Sequence, residues 1–275
     1  MIHMTRSAAV SRLVAVAVAG VTAAAPAMAL VGGIATTEFG QVASGVQVLP
    51  NWVITARHLG YEVGDTFSNG FGSATVAARY DAASGGFPMD DIALLRLETP
   101  IAAPSLSLVT DTLSANASYA IDATLTTGHN QLPRGYGFSQ VREYWPTVDP
   151  DGAGPLAAVP VHWLIAYTDG YTQPYVQGGD SGGGLFLGQV SSLASGASLW
   201  GIASGYVADQ DANGHDIHPR SAYVQLSSYR SWLDATLAGD PADMQMLGWM
   251  TTAVPEPPTA LLLILGLCGM PRRRR

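Results

Sequence analysis

From Leu30 to Gln225 the chain is a succession of short apolar runs, broken every few residues by Gly, Pro, Asn or Asp. Gly45-Val46-Gln47-Val48-Leu49, Trp52-Val53-Ile54 and Ala74-Thr75-Val76-Ala77-Ala78 have strand length, and few runs keep a helical period for long. Such runs, bounded by turn formers and rich in β-branched or aromatic residues, predict strands. Asp149-Pro150-Asp151-Gly152 and Asp211-Ala212-Asn213-Gly214 predict turns between them. One stretch departs from this texture. Leu226, Tyr229, Trp232, Leu233 and Leu237 recur at three- and four-residue spacing, which predicts an amphipathic helix over Leu226 to Ala238. Gly239 to Ala253, with Pro241 and no period, predicts a linker. Nothing repeats at a fixed interval. The expectation is a mostly β protein with one C-terminal helix.

The two ends have a different character. Met1 to Arg12 carries two arginines and no acid, Leu13 to Ala25 is apolar and small, and Ala27-Met28-Ala29 has the small-x-small form of a cleavage site. This predicts a secretory signal peptide over 1–29; a membrane span would need about 20 apolar residues. At the other end Val254-Pro255-Glu256-Pro257 leads into an apolar run from Ala260 to Met270, closed by Arg272-Arg273-Arg274-Arg275. One reading is a short membrane anchor with its arginines held inside. The tripartite layout of 254–275 also resembles the PEP-CTERM sorting signal of Gram-negative bacteria. That resemblance implies an exosortase that removes the tail, transient membrane association through it, and a cell-surface or secreted destination reached through the periplasm.

Charge and cysteine content follow from these ends. The only cysteine, Cys268, lies in the tail, so a domain over 30–239 has no disulfide to brace it and depends on its core. The 275 residues suffice for such a core, in one large or two small domains. Removing Arg6 and Arg12 with the leader and four arginines with the tail leaves seven; Glu256 also leaves, so 20 acids remain and the net is −13. Nucleic acid is thereby a poor partner.

Candidate chemistry concentrates in Gly178-Gly179-Asp180-Ser181-Gly182-Gly183-Gly184. Glycine is costly to order and packs nothing, so this density makes sense where a backbone must bend sharply and present amide N–H groups beside one hydroxyl. Two further segments join it: Asn51-Trp52-Val53-Ile54-Thr55-Ala56-Arg57-His58, and Asp91-Ile92-Ala93-Leu94-Leu95-Arg96-Leu97. In the order His58, Asp91, Ser181 the three resemble the chymotrypsin/trypsin family of serine proteases, and differ from the chain orders of other folds that use the same groups.

The resemblance implies two six-stranded Greek-key β-barrels over 30–239, with a boundary near 122 and a closing helix, to which Tyr229-Arg230-Ser231-Trp232-Leu233 is similar. It implies Ser181 as nucleophile, His58 as its base, Asp91 as the imidazole's partner, and backbone N–H groups of Gly179 and Ser181 for the oxyanion. Asp90, the neighbouring carboxylate, reads as a solvated turn residue. Ser204 matches the family serine that bonds the catalytic aspartate. Asp180 matches the carboxylate that pairs with a new α-amino group, here Leu30 of Leu30-Val31-Gly32-Gly33, freed by signal peptidase itself. Tyr175 stands where trypsin-like members carry the pocket-base aspartate; with Tyr206 and Ser221 as walls it implies small or medium apolar side chains at the cleavage position. The resemblance implies a polypeptide substrate, with no cofactor and no metal. A binding module that kept the fold without turnover, and an esterase using the same groups, remain open at this level.

Overall fold

In the computed structural model the described residues are 30, 34–36, 38–82, 87–113, 119–126, 136–147, 163–167, 175–188, 190–193, 196–210 and 216–252. The expected signal peptide, the Pro-Glu-Pro tail and the two turns expected at 149–152 and 211–214 lie outside them. Strand β1 (Ile34–Thr36) joins the second of two sheets, pairing with a strand farther along the chain. The first sheet follows. It consists of β2 (Val42–Ala43), β3 (Gly45–Leu49), β4 (Trp52–Thr55), β5 (Thr66–Asn69), β6 (Gly72–Asp81) and β7 (Ala93–Leu97), in the order β2-β3-β4-β7-β6-β5. Its two ends approach through Gly70, whose N–H donates to Gly40 O at 2.7 Å. A Cβ on Gly70 would lie 2.8 Å from Gly40 Cα, so only glycine permits this approach.

The second sheet comprises β8 (Ser107–Val109), β9 (Tyr119–Thr126), β10 (Tyr136–Thr147), β11 (Trp163–Tyr167), β12 (Gly184–Leu187), β13 (Ser198–Gln210), β14 (Asp216–Gln225) and β15 (Gly248–Met250), with β1 added to β10. Because β12 pairs with both β9 and β13, six of these strands close on themselves as β12-β9-β10-β11-β14-β13. Closure removes the sheet edges that would otherwise invite pairing with other chains. The architecture is thus the expected two-barrel, chymotrypsin-like one.

The predicted helix is present as a 3-10 turn (Leu226–Tyr229) continuing into α1 (Arg230–Gly239). Leu226, Tyr229, Leu233 and Leu237 are buried, the face that the spacing marked. They join a core that runs from Val46, Trp52, Ile54 and Leu94 of the first sheet to Phe186, Leu199, Ile202 and Val224 of the second. Each such aliphatic side chain contributes about 1.5–3 kcal/mol on burial. Two buried amide side chains there are bonded. Gln41 and Gln47 donate to the carbonyls of Pro104 and Ile101 at 2.6 and 2.7 Å, fastening the passage between the sheets.

Two expected boundaries move. The passage from the first sheet to the second falls between Leu97 and Ser107, upstream of the expected 122, since β8 already pairs with β13. The stretch expected as a linker also packs on the body as far as 252. Strand β15 runs parallel to β8, Leu247 is buried, and Trp249 Nε1 donates to Asp234 Oδ1 at 2.8 Å. Three residues are too few to show a period, and the segment is held by isolated anchors.

Candidate active site

Strand β4 is buried throughout, and Ala56 after it is 1% exposed, so the chain reaches the cleft at a fixed point. There Arg57–Leu59 forms a single 3-10 turn, closed by Gly60 at φ 69. That turn lifts His58 out of the apolar layer, with 28% of its side chain exposed. Asp91 precedes β7 and is buried, its side chain 0% exposed. Three hydrogen bonds converge on its carboxylate. His58 N donates to Oδ1 at 2.8 Å, His58 Nδ1 donates to Oδ2 at 2.7 Å, and Ser204 Oγ donates to Oδ2 at 2.6 Å. Backbone and ring of one residue thus grip one carboxylate, which fixes the imidazole's rotation. A carboxylate accepts only, so the proton sits on Nδ1 and leaves Nε2 as an acceptor. His58 Nε2 lies 2.7 Å from Ser181 Oγ.

Ser181 is held by backbone. Asp180 N donates to Gln177 O at 3.0 Å, Gln177 N to Asp180 Oδ2 at 2.9 Å, and Gly183 N to Asp180 O at 3.1 Å. Gly182 N then donates to Ala203 O at 2.9 Å, and Ala203 N to Gly183 O at 2.7 Å, which ties the loop to β13. Gly179 and Gly182 have φ of 103 and 85, values that strain any residue with a Cβ. A Cβ on Gly182 would also sit 2.5 Å from Ser44 C and O, so here the loop lies directly on the first sheet. Among the described residues, the N–H groups of Gly179 and Ser181 have no acceptor, whereas those of Asp180, Gly182 and Gly183 are used. Ser204 reaches Asp91 because β13 shifts register against β14 between Ala203 and Gly205. The bulge turns an otherwise paired residue toward the cleft.

This constellation matches a known family over most of its length. The family model described as Trypsin matches residues 17–233. The chain belongs to the trypsin family. By family it is a serine-type peptidase, a hydrolase. Among curated proteins none matches the chain. The trypsin match ends before Asp240 and β15, so the docked C-terminal segment lies beyond it.

The remaining expected site residues fall as follows. Tyr175 is half-buried and Tyr206 is 45% exposed; Tyr206 stands opposite Ser221 in the β13–β14 register. Ser221 is fully buried, and its Oγ accepts Val176 N–H at 2.9 Å, which fastens β14 to the segment leading to Ser181. Leu30 is 3% exposed, in an apolar cluster with Val176, Leu185, Ala203 and Tyr223. Asp180 is 0% exposed. Burial first, and then the charge of Asp180, push the Tyr223 phenol well above its ordinary range. Val31 to Gly33 lie outside the described residues. Among the described residues, no three His, Cys, Asp or Glu side chains gather as metal ligands, and no helix is long and apolar enough to cross a membrane.

Three features escaped the motifs. Phe87 is 52% exposed and meets the His58 ring edge-on, with centroids 5.2 Å apart. Arg57 donates through Nη2 to Met89 O at 2.9 Å. Asp90, expected to be solvated, is half-buried and accepts the Tyr229 hydroxyl at 2.8 Å. Burial, then that hydrogen bond and the Asp90 and Asp91 charges, push the Tyr229 phenol well above its ordinary range, so it remains a donor. A contact between residues so far apart in the chain has no local signal in the sequence.

Proposed function

We propose that the protein is a secreted serine endopeptidase that cleaves polypeptides through an acyl-enzyme formed on Ser181. The observation that carries this reading is the run of two 2.7 Å contacts from Asp91 through His58 to Ser181. In the family's chemistry His58 Nε2 takes the Ser181 proton as Oγ attacks the scissile carbonyl, then returns it to the leaving amine. Asp91 holds the imidazole in the right tautomer and stabilises the imidazolium. The N–H groups of Gly179 and Ser181, unused within the loop, serve the oxyanion, worth about 3 kcal/mol for one such donor. Intact attack and relay groups speak against a binding module without turnover. A fluorophosphonate probe tests the reading: the native protein should be labelled, and Ser181→Ala should not be. A native protein that stays unlabelled while folded overturns it.

Secretion is part of the same reading, and supports a role for the buried Asp180. Signal peptidase cutting after Ala29 leaves Leu30 with a free amine, and a fully buried carboxylate that already accepts the Gln177 N–H gains further from a cationic partner. N-terminal sequencing of the secreted protein should start at Leu30; another start rules the pairing out. The exosortase step predicts a mature chain lacking 254–275, visible by intact mass. Tyr175 in place of an acidic pocket base, with Tyr206 opposite Ser221 in the β13–β14 register, supports cleavage after small or medium apolar residues. A peptide library cut mainly after Arg or Lys would contradict that preference.

A further inference from the structure

Resting on the reading of Asp91 and His58 as catalytic partners, we propose that Tyr229 and Asp90 form a positioning pair that aims the Asp91 carboxylate from the opposite side of the barrel boundary. Asp90 is in the left-handed region at φ 44, the sole described non-glycine residue there. Such a conformation costs an L-residue about 1–3 kcal/mol and persists only where the surroundings determine it. Here they do so from two directions. Arg57, adjacent to His58 in the same turn, donates to Met89 O at 2.9 Å. Tyr229, in the 3-10 turn before α1, donates to Asp90 Oδ1 at 2.8 Å. Ile92 N then donates to Asp90 O at 2.7 Å, folding the chain tightly around Asp91. Asp91 thus sits inside a reversal whose entry is pinned by the second barrel's C-terminal turn and by His58's own neighbour.

The physical consequence concerns orientation. Both Asp91 oxygens receive hydrogen bonds from His58, so a small rotation of the backbone at residue 90 swings the carboxylate off one of its two donors. Tyr229 touches neither His58 nor Ser181 through any hydrogen bond described, and acts through Asp90. Tyr229 is 8% exposed and packs in the main core, so its ring and hydroxyl have separable roles: the ring fills space, the hydroxyl aims the loop.

Tyr229→Phe keeps the ring and removes the hydroxyl. Asp90→Ala removes the acceptor and keeps the strain, whereas Asp90→Asn keeps an acceptor in a residue type that tolerates this conformation. The readouts are kcat/KM against pH and the proton spectrum of the His58 Nδ1–H in the hydrogen bond to Asp91. Tyr229→Phe and Asp90→Ala should lower kcat about tenfold with little change in KM, short of the roughly hundredfold of an ångström misplacement. They should also move the Nδ1–H signal upfield and shift the acid limb of the profile to lower pH, because the imidazolium loses support. Asp90→Asn should restore both signatures. If Tyr229→Phe lowers only the melting temperature, and the Nδ1–H signal and pH profile stay native, the hydroxyl is merely structural and the proposal fails. A native protein without peptidase activity would overturn the catalytic reading instead, and the Nδ1–H signal still reports on the geometry in that case.

Discussion

On the side of the six-stranded sheet, His58 and Asp91 are placed by side chains: a fully buried strand delivers one, and three donors surround the other. On the side of the closed barrel, Ser181 is placed by the lack of them. Glycines at 179 and 182 take backbone angles closed to other residues, and amides bond to Ala203 and within the loop. The two strategies suit the two roles that we propose for these residues. A base must keep one ring orientation while its charge changes, which calls for a dense shell of donors. A nucleophile flanked by oxyanion donors needs its own N–H groups turned outward, which calls for a backbone free of Cβ atoms. The halves meet where Gly182 lies on Ser44, and the 2.7 Å contact between His58 and Ser181 depends on that docking.

The largest expected effect comes from breaking that meeting point. Gly182→Ala introduces a Cβ 2.5 Å from Ser44 backbone atoms, at φ 85, and the collision is with main chain, which cannot swing aside. Stability should fall by about 3 kcal/mol or more, since overpacking and backbone strain add. Turnover should fall about a hundredfold in the folded fraction, although the side chains of His58, Asp91 and Ser181 all remain. Gly188→Ala is the control: its φ of 82 imposes similar strain with nothing within 4 Å, and it should cost only about 1 kcal/mol. Equal losses in the two variants, by urea denaturation, would show that strain alone matters and that no docking contact is at stake.

A smaller effect tests the side-chain half. Ser204→Ala removes one of three donors to Asp91 and leaves both from His58. A hydrogen bond to a charged group is worth about 1.5–3 kcal/mol, so kcat/KM should fall roughly tenfold, with the remaining donors limiting the loss. A fall as steep as that of Gly182→Ala would mean that Asp91 depends on the barrel as much as Ser181 does.

The same contrast explains what could be read from the chain. His58, Asp91 and Ser181 stand out because each adjoins an apolar run or a glycine cluster, signals confined to a few residues. The helix stands out because Leu226, Tyr229, Leu233 and Leu237 keep their period over three turns. What escaped is made by contacts distant in sequence: Asp90 with Tyr229, 139 residues away, or β12 pairing with both β9 and β13 to close the barrel. The sheet-to-sheet passage near 97–107 escaped for another reason, since strands on both sides share one texture. Strand β15 escaped because a three-residue strand carries no pattern at all.

The smallest expected effect lies in that docked C-terminal segment, where the two sheets are held together at a distance from His58 and Ser181. Asp240 is 2% exposed at the end of α1, yet faces the first sheet. It accepts the Tyr80 hydroxyl at 2.6 Å and the N–H groups of Ala242 and Asp243 at 2.8 and 3.2 Å. Arg96 Nε is 2.9 Å away but badly aligned for a hydrogen bond, so that contact is chiefly one of charge. Burial alone would raise the Asp240 carboxyl; the Tyr80 and Ala242 hydrogen bonds and the Arg96 charge outweigh it, and the group is held below the ordinary 3.8. A carboxyl lowered in the folded state adds stability that is fully present above its unfolded value and is lost as pH falls through the folded one. Asp240→Asn should therefore cost about 1–2 kcal/mol at neutral pH and leave turnover at 25 °C unchanged. Measured by urea denaturation, the gap between native and variant should hold from neutral pH to about 5 and shrink below the ordinary 3.8. A gap that persists undiminished at pH 3 would mean that Asp240 acts as a neutral hydrogen-bond acceptor, and that the tie between the barrels there is not electrostatic.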